Sequence, residues 1–249
     1  MSINKTQMTQ IIPTEGWHVI HLFYQIDHTQ WSIQTEEEQL KAKTDLSKLI
    51  QDIRSAPNTQ LLLFSIVTPK ADIGFMLITD DLQLANTFEK QLTLALGADI
   101  LNPSFSYLSM TETGDYMSTE EDYSEKTLKS ERNLKEGTED YENALNEFKT
   151  HMAKYSNDKL YPNLPDWPVF CFYSMAKRRG ETFNWYALPF DERKRLMAEH
   201  GKVGRQWTGK IRQLITGSVG LDDSEWGVSL FANNSYDIKG IVYQMRYDE

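Results

Sequence analysis

The chain has 249 residues, 40% hydrophobic and 25% charged, with a formal net charge of −10 and one cysteine, Cys171. That length accommodates two modest cores, and the acidic balance argues against general nucleic-acid binding. One cysteine excludes an internal disulfide framework or a Cys-rich metal site and suits the reducing cytoplasm.

Met1-Ser-Ile-Asn-Lys-Thr-Gln-Met-Thr-Gln10 has no basic stretch followed by an apolar core, so no leader is expected. No apolar run approaches the ~20 residues of a membrane span. Gly16–Asp27 is rich in aromatic and β-branched residues and reads as a strand. Leu46, Leu49, Ile50 and Ile53 recur at helical spacing, which predicts an amphipathic helix over 34–55. Leu61–Val67 reads as a buried strand, and Pro69-Lys-Ala-Asp72 turns the chain into a second strand, Ile73–Thr79. Asp80 or Asp81 can cap a helix whose Leu84, Phe88, Leu92 and Ala95 share a face. Phe105–Thr111 is a further strand, and the order β-α-β-β-α-β is the ferredoxin-like unit.

Residues 112–160 form a charged, partly helical linker between that first domain, 1–111, and a second, 161–249. Ser118–Thr138 reads as a mobile charged stretch. Tyr141, Leu145, Phe148, Met152 and Tyr155 step by four and three and predict a helix. The second domain repeats the pattern of the first. Val169–Lys177 is its first strand, and a helix runs from about 190 to His200 with Gly201 as C-cap. Lys210–Gly217 and Trp226–Phe231 are paired strands, and Ser235–Met245 is the closing helix. The second copy stops at Tyr247-Asp-Glu249 without a last strand. The fold class is therefore α+β, two tandem ferredoxin-like domains forming a dimeric α+β barrel, with antiparallel sheets and helices packed outside.

The chemistry concentrates in the second domain. Residues 111–158 carry 13 acidic and 6 basic residues, whereas 177–212 carry 10 basic and 4 acidic, a region suited to an anionic ligand. Strand alternation puts Val169, Cys171, Tyr173, Met175 and Lys177 on one face. A phenol and an amine flanking a thioether would line a pocket for a flat, apolar ligand with anionic edges. Each residue also has a plainer role: Tyr173 as a strand aromatic, Lys177 as a solvated strand end, Trp226 as core, Gln213 as a half-exposed polar residue. His200 has one too, as a cation at a helix C-terminus. His18 and His21 lie on opposite faces of a strand and are no metal pair. Gly204–Lys210 lacks the Walker spacing, and neither a nucleophile elbow nor a zincin histidine pair is present.

The stretch Leu160-Tyr-Pro followed by Cys-Phe-Tyr-Ser-Met-Ala-Lys-Arg-Arg179, then Asn184-Trp-Tyr186, Arg193–Gly201 and Ile215-Thr-Gly-Ser-Val-Gly-Leu-Asp-Asp-Ser-Glu-Trp-Gly227, resembles the coproheme decarboxylase branch of the chlorite dismutase superfamily. The resemblance covers Gly16 to Glu249, broken by a longer linker. It implies a peroxide-dependent oxidative decarboxylation of iron-coproporphyrin III (coproheme) propionates to vinyl groups, giving haem b through a tyrosyl radical. By the same resemblance Tyr173 is the radical-forming tyrosine and Lys177 a propionate partner implicated in the chemistry. His200 is the proximal iron ligand, Met175 and Trp226 are pocket walls, and Gln213 is the distal residue. Lys159 and Tyr116 join the cofactor-binding positions. The family also implies a homopentamer, hydrogen peroxide as oxidant and coproporphyrin ferrochelatase as a transient donor.

Three positions depart from the family pattern. Lys159 stands where relatives carry a propionate-binding arginine, and a lysine keeps the charge but loses the bidentate fork. Ser174 and Ala176 replace a proline and an aspartate beside the tyrosine. The family's C-terminal strand is absent. Two other functions compete: another haem enzyme of the superfamily, chlorite dismutase or peroxidase-like, and a non-enzymatic haem-binding oligomer. Chlorite-decomposing relatives use an arginine at the distal position, and Gln213 is neutral.

Overall fold

The structure is a computed structural model that describes residues 9–248. Most of the stretch read for a leader, and Glu249, lie outside the described residues. Strand β1 (His18–Ile26) leads through a short helix α1 (His28–Ile33) into α2 (Glu36–Arg54), followed by β2 (Thr59–Ser65), β3 (Ile73–Thr79), α3 (Leu82–Leu94) and β4 (Leu101–Thr111). After α4 (Glu120–Asp122) and a π-helical segment, Tyr123–Glu131, come α5 (Glu139–Leu160), β5 (Val169–Met175), a 3-10 turn (Trp185–Ala187) and α6 (Phe190–Gln206). Strands β6 (Ile211–Gly217) and β7 (Trp226–Ala232) and helix α7 (Ser235–Met245) complete the chain. The strands form one seven-stranded sheet in the order β2-β3-β1-β4-β6-β7-β5. Read as two repeats, the first is the ferredoxin-like order and the second is its first three strands in the same order. Among the described residues no helix is long and apolar enough to cross a membrane.

The chain divides into two compact units. One holds the residues up to Thr111 with Phe172–Ala176 and Ile215–Val228; the other holds Glu112–Cys171, Lys177–Leu214 and the chain from Ser229 on. In the first unit β1 runs antiparallel to both β3 and β4, with His21 opposite Met76 on one side and Tyr107 on the other. Leu46, Ile50 and Ile53 of α2 and Ala85, Phe88 and Leu92 of α3 close over Leu22, Tyr24, Leu61, Phe75 and Leu77. Thr35 and Glu38 make a reciprocal capping box at the start of α2, and Asp81 accepts the Gln83 N–H to cap α3. β2 is an edge strand rather than a buried one: it ends at Ser65, and Leu63 near its end and Val67 beyond it are exposed.

In the second unit the charged stretch is helical from Glu120 to Glu131. Tyr123 stacks on Phe148 of α5, Ser124 and Tyr141 share a hydrogen bond of 2.7 Å, and Leu128 is buried against Tyr141, Ala144 and Leu145. Its charges pair within the stretch and with α6: Asp122 binds Lys126 and the distant Lys194, and Lys129 binds Glu125 and Glu136. Those two ammonium groups hold the Asp122 carboxyl well below the usual carboxylate range. A composition that reads as solvated is thus accompanied by one apolar seam and by ion pairs, most of them within a turn or two.

Helix α6 also differs from its sequence reading. It does not stop at Gly201 but runs on to Gln206. Gly201 does not take a positive φ, and the left-handed residue that turns the chain after the helix is Gly209, at φ +84°. Strand β5 ends at Met175, so Lys177 lies just past it.

Candidate active site

Within the first unit, β5 carries Tyr173 and Met175 on an open face, each 37% exposed. The ring of Phe172 points the other way. It stacks on His21 at 3.8 Å and packs against Tyr107, Phe105 and Phe23 at 5.4 to 6.3 Å. Alternation therefore packs Phe172, which is half-buried, against this cluster and leaves Tyr173 on the other face. His21 is fully buried, and burial lowers its pKa to about 3, so the imidazole under Phe172 is neutral. Trp226, the first residue of β7, is half-buried. Cys171 precedes this segment, and burial pushes its thiol pKa up, which makes it a poor nucleophile. The first unit also has a cleft of about 340 Å³ lined by Ile20, Leu22, Leu82, Phe105 and Asp222, among others; none of the site residues expected from sequence lines it.

Within the second unit, His200 sits in the body of α6 rather than at its end, so the helix dipole does not account for it. Its side chain is 43% exposed, and Nδ1 is 2.7 Å from Oδ2 of Asp248. A carboxylate on one imidazole nitrogen fixes the ring and raises the basicity of the other, which is how a histidine is prepared as an axial metal ligand. Helix α7 delivers Asp248 to this point. The Trp207 indole lies so close to Gly240 that a Cβ there would run into the ring. Trp207 Nε1 donates to Gln244 Oε1, and Gln244 Nε2 to Gln206 Oε1, both at 2.8 Å. The end of α6 is thereby keyed to α7. Asp248 is a residue that sequence reasoning misses; its one signal is the need of His200 for a partner on its second nitrogen.

Lys177 and Tyr116 come together through Trp185. The hairpin is closed by Trp185 N–H to Arg178 O at 2.9 Å and by pairing of Arg179 with Asn184. It folds the indole back beneath Lys177, whose Nζ lies 4.1 Å from the ring centroid. Tyr116 meets Trp185 edge-on and stacks on Phe190, and the Arg193 guanidinium lies 5.9 Å from the Phe190 ring. Arg193 Nε is buried with no hydrogen-bond partner among the described residues. Two cations on an aromatic run, one with an orphaned donor, suit an anionic ligand with an apolar body. Lys159 lies in the last turn of α5 with Nζ 5.3 Å from the Tyr155 ring and close to Gly114. Gln213, on β6, turns its amide toward Gly204, one turn beyond His200 on α6.

No three His, Cys, Asp or Glu side chains converge as a metal cage among the described residues. The second unit instead offers one carboxylate-held imidazole and several cations, residues that fit an iron porphyrin with carboxylate arms. The first unit, by itself, offers an exposed strand face bearing a phenol.

The comparisons with known proteins agree on one family. A family model described as chlorite dismutase matches residues 39–249. A coproheme decarboxylase of Staphylococcus carnosus is 36% identical over 246 residues, 97% of this chain and 89% of that protein. A protein of Natronomonas pharaonis described as heme-binding is 37% identical over 237 residues, 94% of this chain; the chain spans only 36% of that protein's length. Among solved structures, a heme-binding protein from Thermus thermophilus superposes with a TM-score of 0.76 at 31% identity, covering 97% of this chain and 89% of that one.

Proposed function

The chain belongs to the chlorite dismutase family, and from that membership we propose that it is a coproheme decarboxylase that uses hydrogen peroxide to convert two propionates of iron-coproporphyrin III to vinyl groups, giving haem b. The observation that carries this reading is 36% identity, over 97% of the chain, to a protein described as a coproheme decarboxylase. When bound, coproheme is the substrate and also supplies the redox-active iron on which peroxide acts. For each propionate, one carboxylate, one peroxide and one proton give one vinyl group, one carbon dioxide and two waters.

The chain's own residues divide the remaining work. His200, oriented by Asp248, holds the iron. Tyr173 would give up its phenolic hydrogen atom to the peroxide-derived oxidant and regain one from the propionate carbon beside the ring, which accounts for the first of the two electrons that each peroxide takes. The second would leave as carbon dioxide is lost, so that the double bond remains. A phenol with an ordinary pKa near 10 is a poor base at neutral pH, and one-electron chemistry suits it better. Lys177, Lys159 and Tyr116 would receive carboxylates, Met175 and Trp226 would form pocket walls, and Gln213 would take the position that the family resemblance gives it as the distal residue. The neutral amide of Gln213 offers no charge to hold an anionic oxidant, which favours decarboxylation over chlorite chemistry. The reading carries with it a cytoplasmic homopentamer, coproheme handed over by coproporphyrin ferrochelatase, and a haem-binding domain over residues 161–249.

Likeness to the heme-binding proteins of Natronomonas and Thermus favours a second reading, in which the chain binds haem without turnover. One experiment separates the two. The purified protein is incubated with iron-coproporphyrin III and hydrogen peroxide, and masses of the porphyrin are followed. Two successive losses of carbon dioxide plus two hydrogens establish the decarboxylase; a bound porphyrin of unchanged mass establishes the second reading.

A further inference from the structure

The segment that carries Tyr173 is fastened on both sides within the first unit. Before it, Phe172 is locked in the ring cluster around the buried His21. After it, Ser224 Oγ donates to Ser174 Oγ at 3.1 Å, and Glu225 N–H donates to Met175 O at 3.0 Å. Both donors belong to the turn between β6 and β7. That turn is itself anchored. Ser218 is fully buried, its Oγ donates to Ser224 O at 2.8 Å, and it shares a short hydrogen bond with the Tyr107 hydroxyl. Ser218 N–H donates to Glu225 O at 2.8 Å, and Leu108 N–H donates to Asp222 Oδ2 at 2.8 Å.

The proton directions in this chain are forced. A carbonyl cannot donate, so the Ser218 hydroxyl proton goes to Ser224 O, and the proton between Tyr107 and Ser218 must come from Tyr107. Burial pushes the Tyr107 pKa up, so its phenol keeps that proton. The line Tyr107 to Ser218 to the Ser224 carbonyl therefore runs one way, from β4 to the turn. The Ser224 hydroxyl then reaches β5. The backbone beside Tyr173 is thereby restrained by a hydroxyl pair.

We propose that Ser218 and Ser224 are positioning residues for Tyr173, fixing the orientation of its ring through Ser174 and the Met175 carbonyl. The inference rests on the reading of Tyr173 as the hydrogen-atom donor. Hydrogen-atom transfer falls steeply with distance and angle, and a misplacement of about 1 Å can cost ~100-fold in rate. A donor on an exposed strand face needs such restraint more than a buried one.

The test places 3-fluorotyrosine at position 173 and reads its 19F signal in the ligand-free protein, alongside steady-state decarboxylation. The parent should give one narrow resonance. Ser224→Ala and Ser218→Ala should broaden or split it and lower kcat roughly tenfold while KM for coproheme stays within about twofold. Ser224→Thr, which keeps the hydroxyl, should restore both. Because Ser218 is buried and its variant can fail to fold, Ser224→Ala alone is decisive. An unchanged 19F signal in folded Ser224→Ala overturns the positioning role and leaves the assignment of Tyr173 intact. A changed signal with unaltered turnover supports the positioning role and removes Tyr173 from the chemistry.

Discussion

Tyr173 combines an outward-facing phenol with a backbone neighbour, Phe172, that is packed into an aromatic cluster. A ring serving only as core would sit on the Phe172 side. Tyr173→Phe keeps the packing surface and removes the hydrogen atom, so coproheme affinity should change less than about threefold while decarboxylation falls by at least ~100-fold. Product masses and a coproheme titration check the two halves separately, and haem b formed at the parental rate would end the radical role. His200 and Asp248 make a second pair whose parts are separable. His200→Ala should retain porphyrin binding through apolar burial and carboxylate contacts but lose the iron–imidazole stretch in the ferrous resonance Raman spectrum. Asp248→Asn keeps the size and the hydrogen-bond reach but removes the charge behind the imidazole, so the same band should persist at lower frequency. For the lysines, the Lys177 ammonium rests on the Trp185 face at 4.1 Å from the ring centroid, and its three donors let it meet a carboxylate from there. Lys177→Ala should stall the reaction with a mono-decarboxylated porphyrin accumulating, whereas Lys159→Arg, which restores the bidentate fork, should hold or tighten coproheme affinity. Full-rate turnover by Lys177→Ala would reduce that lysine to a solvated strand end.

The pairing of α6 with α7 depends on one small residue. In an ordinary exposed helix, Gly→Ala stabilises by about 1 kcal/mol. At Gly240 the sign should reverse, because the new methyl meets the Trp207 ring, and overpacking of that kind costs about 1–3 kcal/mol. Urea unfolding of Gly240→Ala should show a lower midpoint at unchanged slope. Adding Trp207→Leu should recover part of the loss, a non-additivity that only direct contact explains. The same example shows what the sequence could convey about elements. Period and capping chemistry marked β3, α3 and α7, because Thr79-Asp-Asp and the Asn-Ser before Tyr236 carry their start signals locally. The length of α6 was hidden, since Gly201 looks like a terminator but stays helical, and the glycine that takes the left-handed turn is Gly209. The π-helical segment was hidden as well: its order comes from Tyr123 on Phe148 and from Leu128 under Tyr141, contacts between distant residues in a composition dominated by charge.

Across the whole molecule, the candidate site was legible as a list of residues because the motifs around Tyr173, Lys177 and His200 are dense and local. Its supporting contacts were not. Asp248, Trp185 and Ser218 reach their partners from 48, 8 and 111 positions away in sequence, and no period or spacing announces such pairs. The buried histidine beneath β5 belongs with these and has a consequence for acid stability. His21 has its pKa lowered from 6.5 to about 3 by burial. Above pH 6.5 the folded and unfolded chains both hold it neutral, and the group leaves stability unchanged with pH. Below 6.5 the unfolded chain binds a proton that the folded chain refuses, so stability falls as pH falls, by up to ~1.4 kcal/mol per unit until about pH 3. His18, whose pKa burial also lowers, acts in the same direction to a smaller extent. His21→Leu keeps similar volume against Phe172 and removes the titrating group. Between about pH 7 and pH 5 its unfolding free energy should therefore decline less than the parent's by about 2 kcal/mol, whatever the two proteins' difference at neutral pH. Carboxylates titrate alike in both chains and cancel in that comparison. Parallel declines would mean that the imidazole finds a proton in the folded state, and the neutral stack under Phe172 would then not hold at acid pH.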